Sequence, residues 1–168
     1  MRTTAGETMD IDEFDRLPEA DARRELLAVC AAPRWAGSVA AGRPYGSLEK
    51  LQDAAAAALA DADLDDAMAG HPRIGDRAAT GRSGAEQARV GAAGEDLRAA
   101  LAAGNAAYES RFGHVYLVCA AGRDAEDLLA TLHERLGNDP VTERAVALGE
   151  LAAINRLRLS GLVREGAA

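Results

Sequence analysis

The chain has 168 residues, 48% of them hydrophobic and 27% charged, which suits one globular domain and excludes a disordered chain. Forty alanines and 19 leucines stand against three isoleucines and 4% aromatics, so helix formers dominate and an all-β fold is excluded. Nineteen basic against 27 acidic residues leave a net charge of −8, which argues against nucleic acid as a partner.

Lys50 is the sole lysine, so there is no polybasic patch for a membrane surface. No unbroken apolar stretch is longer than Ala54 to Ala60, which is far short of the ~20 residues that span a bilayer. The opening MRTTAGETMD has no apolar run behind its arginine, so no secretory leader is expected. Cys30 and Cys119 lack CxxC or CxxH spacing; they read as buried thiols of a cytoplasmic protein, with no metal site.

Residues 1–10 are polar and read as a flexible N-terminus, followed by a single domain over 11–165. A first helix is expected from Pro18 to Ala32, with Leu26, Leu27 and Cys30 inward, and a second from Pro33 to Ala41 around Trp35 and Val39. Ser47 is a good N-cap for a third helix to Ala62, and a short fourth runs from Leu64 to Gly70. Residues 71–83 (HPRIGDRAATGRS) read as an irregular loop. A long helical pattern follows from about Gly84 to Arg111, with Val90, Leu97, Leu101 and Tyr108 on one stripe; Gly91, Gly94 and Gly104 weaken it. Phe112 to Ala121 is a β-prone apolar run with no strand to pair with, so it is expected to be an extended buried segment. Helices from Asp124 to Leu136 and from Pro140, capped by Asp139, to Val163 complete the chain. The predicted fold is all-α, a single-domain bundle of about seven to eight helices.

Three polar features stand out from such a bundle. His71-Pro72 opens the irregular loop. Proline restricts the residue before it, and histidine titrates nearest neutrality, so His71 is either an acid/base or a plain loop or cap histidine. Ser83-Gly84-Ala85-Glu86 has capping-box spacing. Yet Glu86 also lies in line with Val90, Leu97 and Leu101, so its carboxylate either caps the helix or turns to a ligand. On a wheel of the last helix, with Leu151 at the origin, Arg158 falls at about 340° among Leu162, Leu148 and Ile154, while Arg156 points away. A guanidinium on the apolar arc needs an acid or an anionic ligand.

His114 and His133 read as structural and face residues, and Asp61, Asp63, Asp65 and Asp66 as a solvated acidic turn, because the glycine and terminal glutamate of a calcium loop are missing. No P-loop, GxGxxG, GxSxG or HExxH is present.

In register along the chain stand His71-Pro72-Arg73-Ile74-Gly75, then Ser83, Glu86 and Gln87, then Tyr108-x-x-Arg111-Phe112-Gly113, and finally Ile154-x-x-Leu157-Arg158-Leu159. This order resembles the 2-oxo-4-hydroxy-4-carboxy-5-ureidoimidazoline (OHCU) decarboxylases of urate degradation, from about Phe14 to Val163. Trp35 after Pro33-Arg34 and the stretch Arg135 to Asp139 resemble the bacterial branch. The resemblance implies an all-α homodimer without metal or organic cofactor. It would be a carboxy-lyase that removes CO2 from OHCU and protonates the product on one face to give (S)-allantoin. By the same resemblance His71 and Glu86 are catalytic. Pro72, Ser83, Gln87 and Arg158 bind substrate, and the extended segment lines the pocket at Tyr116, Leu117, Val118 and Ala120. His114 and Tyr116 stand where the family often has phenylalanines. The competing readings are hydrolysis or decarboxylation of a related ureido compound and a helical binding or dimerisation module without turnover.

Overall fold

The computed structural model describes residues 7–75 and 94–166. Within them lie eight α-helices, one 3-10 turn and a two-stranded sheet, in keeping with the all-α expectation. The described residues form two compact units, one running to Ala67 and resuming at Ala152, the other spanning Met68–Leu151.

The first unit opens on β1 (Met9–Asp10), which pairs in parallel with β2 (Val163–Arg164), Met9 opposite Val163. Met9 is buried and Asp10 caps α1 (Ile11–Arg16), its carboxylate accepting from the Glu13 N–H at 2.8 Å. These two residues, read from sequence as part of a flexible tail, are therefore structured. The helix α1 itself was not anticipated.

Next come α2 (Glu19–Val29), α3 (Pro33–Ala41) and α4 (Leu48–Ala58). Pro33 takes the first position of α3, where its missing N–H costs nothing. The Ser47 hydroxyl accepts from the Lys50 N–H and starts α4. Trp35 is fully buried, and its indole N–H donates to the Ala55 carbonyl at 2.8 Å. Two helices stop earlier than expected: α2 gives way at Cys30 to extended backbone, and α4 ends before the 3-10 turn Asp61–Asp63. That turn is not simply solvated. Asp63 is buried, paired through both oxygens with Arg34, and accepts from the Ala60 N–H. α5 (Leu64–Ala69) follows.

The second unit is built on α6 (Glu95–Phe112), α7 (Ala125–Leu136) and the first half of α8 (Pro140–Leu162). Leu101, Tyr108, Tyr116, Val118, Leu128 and Leu132 form its core. Gly104 neither bends nor breaks α6. A Cβ there would come within 2.5 Å of the Leu132 side chain, so the missing side chain is what admits a leucine from α7. Phe112 closes α6 instead of opening the extended run, because Gly113, at φ +77, supplies the left-handed cap. The expected start of this helix near Gly84 lies outside the described residues. Asp139 caps α8 as the sequence predicts, and Asp124, expected as the first residue of its helix, caps α7.

Candidate active site

His71 follows α5 in a turn closed by its own N–H on the Met68 carbonyl at 3.1 Å. The imidazole and Pro72 are half-buried, Arg73 is exposed and Ile74 is buried. Two contacts one helical turn apart fasten this loop to α6. Arg73 forms a forked pair with Glu109, Nε to Oε1 at 2.6 Å and Nη2 to Oε2 at 3.0 Å. Asn105 donates from Nδ2 to the Ile74 carbonyl at 2.9 Å. Gly75 then turns at φ +83, a conformation that favours glycine. A cavity of about 360 Å³ opens on this side of the loop, with Arg73, Arg98, Asn105 and Glu109 in its wall.

Val115 to Ala120 carry no helix or ladder, and Tyr116, Leu117, Val118 and Ala120 are buried as expected. Three long-range hydrogen bonds replace the missing secondary structure. The Leu117 carbonyl accepts from Arg135 Nη1 at 2.7 Å, and the Cys119 N–H donates to Glu150 Oε2 at 2.8 Å. The Tyr116 hydroxyl donates to the Leu128 carbonyl at 2.9 Å. Extended backbone so held has polar groups that a helix would have used internally. Cys119 is only half-buried, contrary to the expectation of two buried thiols.

Behind the segment lies a buried charged cluster that the sequence reading missed. Arg135 and Glu143 are 5% and 0% exposed, with Arg135 Nε to Glu143 Oε1 at 2.7 Å. The Tyr108 hydroxyl donates to the same carboxylate oxygen, and Asn138 Nδ2 donates to Oε2 at 3.0 Å. Burial disfavours the Arg135 charge, but the Glu143 carboxylate outweighs it and leaves the guanidinium pKa raised. Burial, with the bond to Glu143, pushes the Tyr108 phenol up; burial does the same to Tyr116. The wheel that singled out Arg158 would have found both charges. Arg135 follows Leu128 by seven and Leu132 by three; Glu143 precedes Ala147 by four and Leu151 by eight.

Arg158 belongs to the first unit. Its side chain is half-buried and donates from Nη1 to the Val29 carbonyl at 2.9 Å, whereas Arg156 is exposed and paired with Asp53 at 3.2 Å, as the wheel predicts. Cys30, next to Val29, is buried, and burial pushes its thiol pKa up against a smaller opposing effect of the neighbouring Asn155 amide. Asn155 itself is 3% exposed, and among the described residues neither its Nδ2 nor its Oδ1 makes a hydrogen bond of ordinary geometry, with the Cys30 thiol beside it.

The structure thus puts His71 with Pro72 on one anchored loop and Tyr116 to Ala120 on one anchored segment, both in the second unit, and Arg158 in the first. Ser83, Glu86 and Gln87 lie outside the described residues. His133 is exposed; the half-buried His114 stands edge-on to Tyr108, ring centroids 5.5 Å apart. Among the described residues no group of three or more His, Cys, Asp or Glu could hold a metal ion, and no helix is long and apolar enough to cross a membrane.

Residues 15–160 match the model of a protein family described as OHCU decarboxylase. A 2-oxo-4-hydroxy-4-carboxy-5-ureidoimidazoline decarboxylase of Amia calva is 32% identical over 152 residues, covering 83% of this chain and 83% of that protein. A Mus musculus protein of the same name is 30% identical over 166 residues, covering 93% of this chain and 89% of that one. Among solved structures, a crystal structure of OHCU decarboxylase in the presence of (S)-allantoin superposes with a TM-score of 0.73 at 25% identity, covering 81% of this chain and 94% of that one.

Proposed function

The chain belongs to the OHCU decarboxylase family and decarboxylates OHCU to allantoin in urate degradation; within that reaction we propose that His71 is the acid/base and Arg158 the anchor of the substrate. The bond between the ring carbon and the departing carboxylate breaks, and its electron pair enters the conjugated C=N of the ring. CO2 leaves, the ring nitrogen takes up a proton, the 4-hydroxyl gives up its own and becomes the ring carbonyl, and a proton delivered to one face of the ureido-bearing carbon sets the (S) hand of the product. The ring is its own electron sink, so the protein's tasks are orientation, stabilisation of the new charge and one-sided proton delivery.

The observation that carries the role of His71 is the double fastening of its loop to α6 through Arg73–Glu109 and Asn105–Ile74, which limits where the half-buried imidazole can go. Glu86 serves as its carboxylate partner in this proposal, with Pro72, Ser83 and Gln87 shaping the bound substrate. Backbone groups from Tyr116 to Ala120 contact the ring, supported by the three bonds that keep that segment extended. Arg158 offers a fork for the anionic or ureido oxygens. A cytoplasmic homodimer acting without a cofactor completes the proposal.

The test uses OHCU generated fresh from urate by urate oxidase and hydroxyisourate hydrolase, followed by absorbance and circular dichroism. The protein is expected to speed the loss of OHCU and give an (S)-allantoin signal, and His71→Ala to cut the rate by about 10²–10⁴-fold. An unchanged rate in the variant would remove His71 from the mechanism. Racemic product from the wild type would remove one-sided protonation.

A further inference from the structure

We propose that Asn155 is a specificity-determining residue whose side-chain amide hydrogen-bonds the ureido arm of the substrate next to Arg158. The inference rests on the reading of Arg158 as the anchor, and its own evidence is separate. Asn155 is 3% exposed, yet among the described residues neither its donor nor its acceptor makes a hydrogen bond of ordinary geometry, the Cys30 thiol lying beside it. Buried polar atoms in folded proteins are nearly always paired, and an apolar residue of the same shape would avoid the cost of leaving two of them bare. The neighbouring residues offer no remedy: Leu151 and Ile154 are buried and apolar, and the Cys30 thiol beside the amide is a weak donor and a weak acceptor.

What such an amide lacks is a group presenting a donor and an acceptor together, and a ureido arm presents both. Its N–H can donate to Oδ1 while its carbonyl accepts from Nδ2. Asn155 and Arg158 are three residues apart on α8, a spacing that puts side chains on one face with Cβ atoms about 5–6 Å apart. Arg158 is steadied by the Val29 carbonyl, and Cys30, the next residue, lies near both side chains. A ligand held by the Arg158 fork therefore brings its polar arm within reach of Asn155. The division of labour is charge recognition by the arginine and shape-specific recognition of the arm by the asparagine.

The discriminating pair of ligands is (S)-allantoin and hydantoin, the same ring without the ureido arm. Their inhibition constants would be measured on the full-length protein, on Asn155→Leu and Asn155→Ala, and on Arg158→Gln. Wild type should prefer allantoin. Asn155→Leu should weaken allantoin by about 10- to 100-fold and leave hydantoin unchanged, with an unaltered or higher melting temperature and a raised KM for OHCU. If the leucine variant does not fold, the alanine variant decides by the same ratio.

An allantoin-to-hydantoin ratio that stays at the wild-type value overturns the proposal, as does a wild type that does not distinguish the two ligands. Equal weakening of both in the Asn155 variants overturns it too, since it would mean a structural role. Failure of the Arg158 reading looks different: Arg158→Gln would keep wild-type affinity for both ligands, whatever the Asn155 variants do.

Discussion

Asn105 holds the carbonyl of Ile74 through one side-chain atom and leaves the other, Oδ1, buried without a partner among the described residues. This asymmetry makes its replacement informative. Asn105→Leu would deprive the Ile74 carbonyl of its donor, at about 1–3 kcal/mol, and would also remove the orphaned acceptor, a gain of similar size. Stability should therefore change little. The loop carrying His71 would lose one of its two fastenings, and a general acid displaced by a fraction of an ångström is a poor one. We expect the denaturation midpoint to stay near wild type while kcat falls about 10- to 100-fold. A large loss of stability with normal turnover of the folded fraction would show that Asn105 serves packing alone. The sequence singles out His71 by its proline and its titration range, but not Asn105, because an asparagine inside a helix carries no signal until its partner on another element is known.

Among the helices, Arg135 joins more elements than any purely local interaction could. From α7 it reaches Glu143 on α8, the Leu117 carbonyl on the extended segment and, across that carboxylate, the Tyr108 hydroxyl of α6. Removing one charge strands the other in the interior. Arg135→Met should cost about 3–5 kcal/mol in urea unfolding, whereas Arg135→Met combined with Glu143→Met should recover much of that loss, since an apolar pair can replace a buried ion pair. Equal destabilisation in single and double variants would instead assign the cost to the Leu117 carbonyl. α6 and α7 meet closely for a second reason, the bare Gly104 facing Leu132. In the sequence that glycine is only a weakness of the helix; its use is visible only with the opposing helix in place.

For the molecule as a whole, the buried thiol and phenols with displaced titration point to alkaline instability. Burial raises the pKa of the Cys30 thiol and of the Tyr108 and Tyr116 phenols. The folded chain thus holds these protons more tightly than the unfolded chain. Their contribution to stability is complete below the unfolded values, about 8.5 for a thiol and about 10 for a phenol, and is lost as pH climbs toward the folded ones. Melting temperature should fall between about pH 9 and about pH 11, with the phenolate absorbance of these tyrosines appearing together with the loss of helical circular dichroism. Phenolate formation with the helices intact would contradict the burial argument.

Much of this protein is legible one helix at a time. Alanine and leucine content set the helical class, and Ser47, Asp124 and Asp139 mark helix starts because a cap is written within three residues of the N–H it serves. The wheel separates inward Arg158 from outward Arg156 because the period of a helix is a local property. Partnership is not local. Arg34 meets Asp63 across 29 residues, and Cys119 meets Glu150 across 31. Periodicity states that a side chain points inward and says nothing of what waits there, so the tertiary structure alone decided which buried charges pair. It also decided why residues 115–120 remain extended: Arg135 and Glu150 take up backbone groups that a helix or a ladder would otherwise have satisfied.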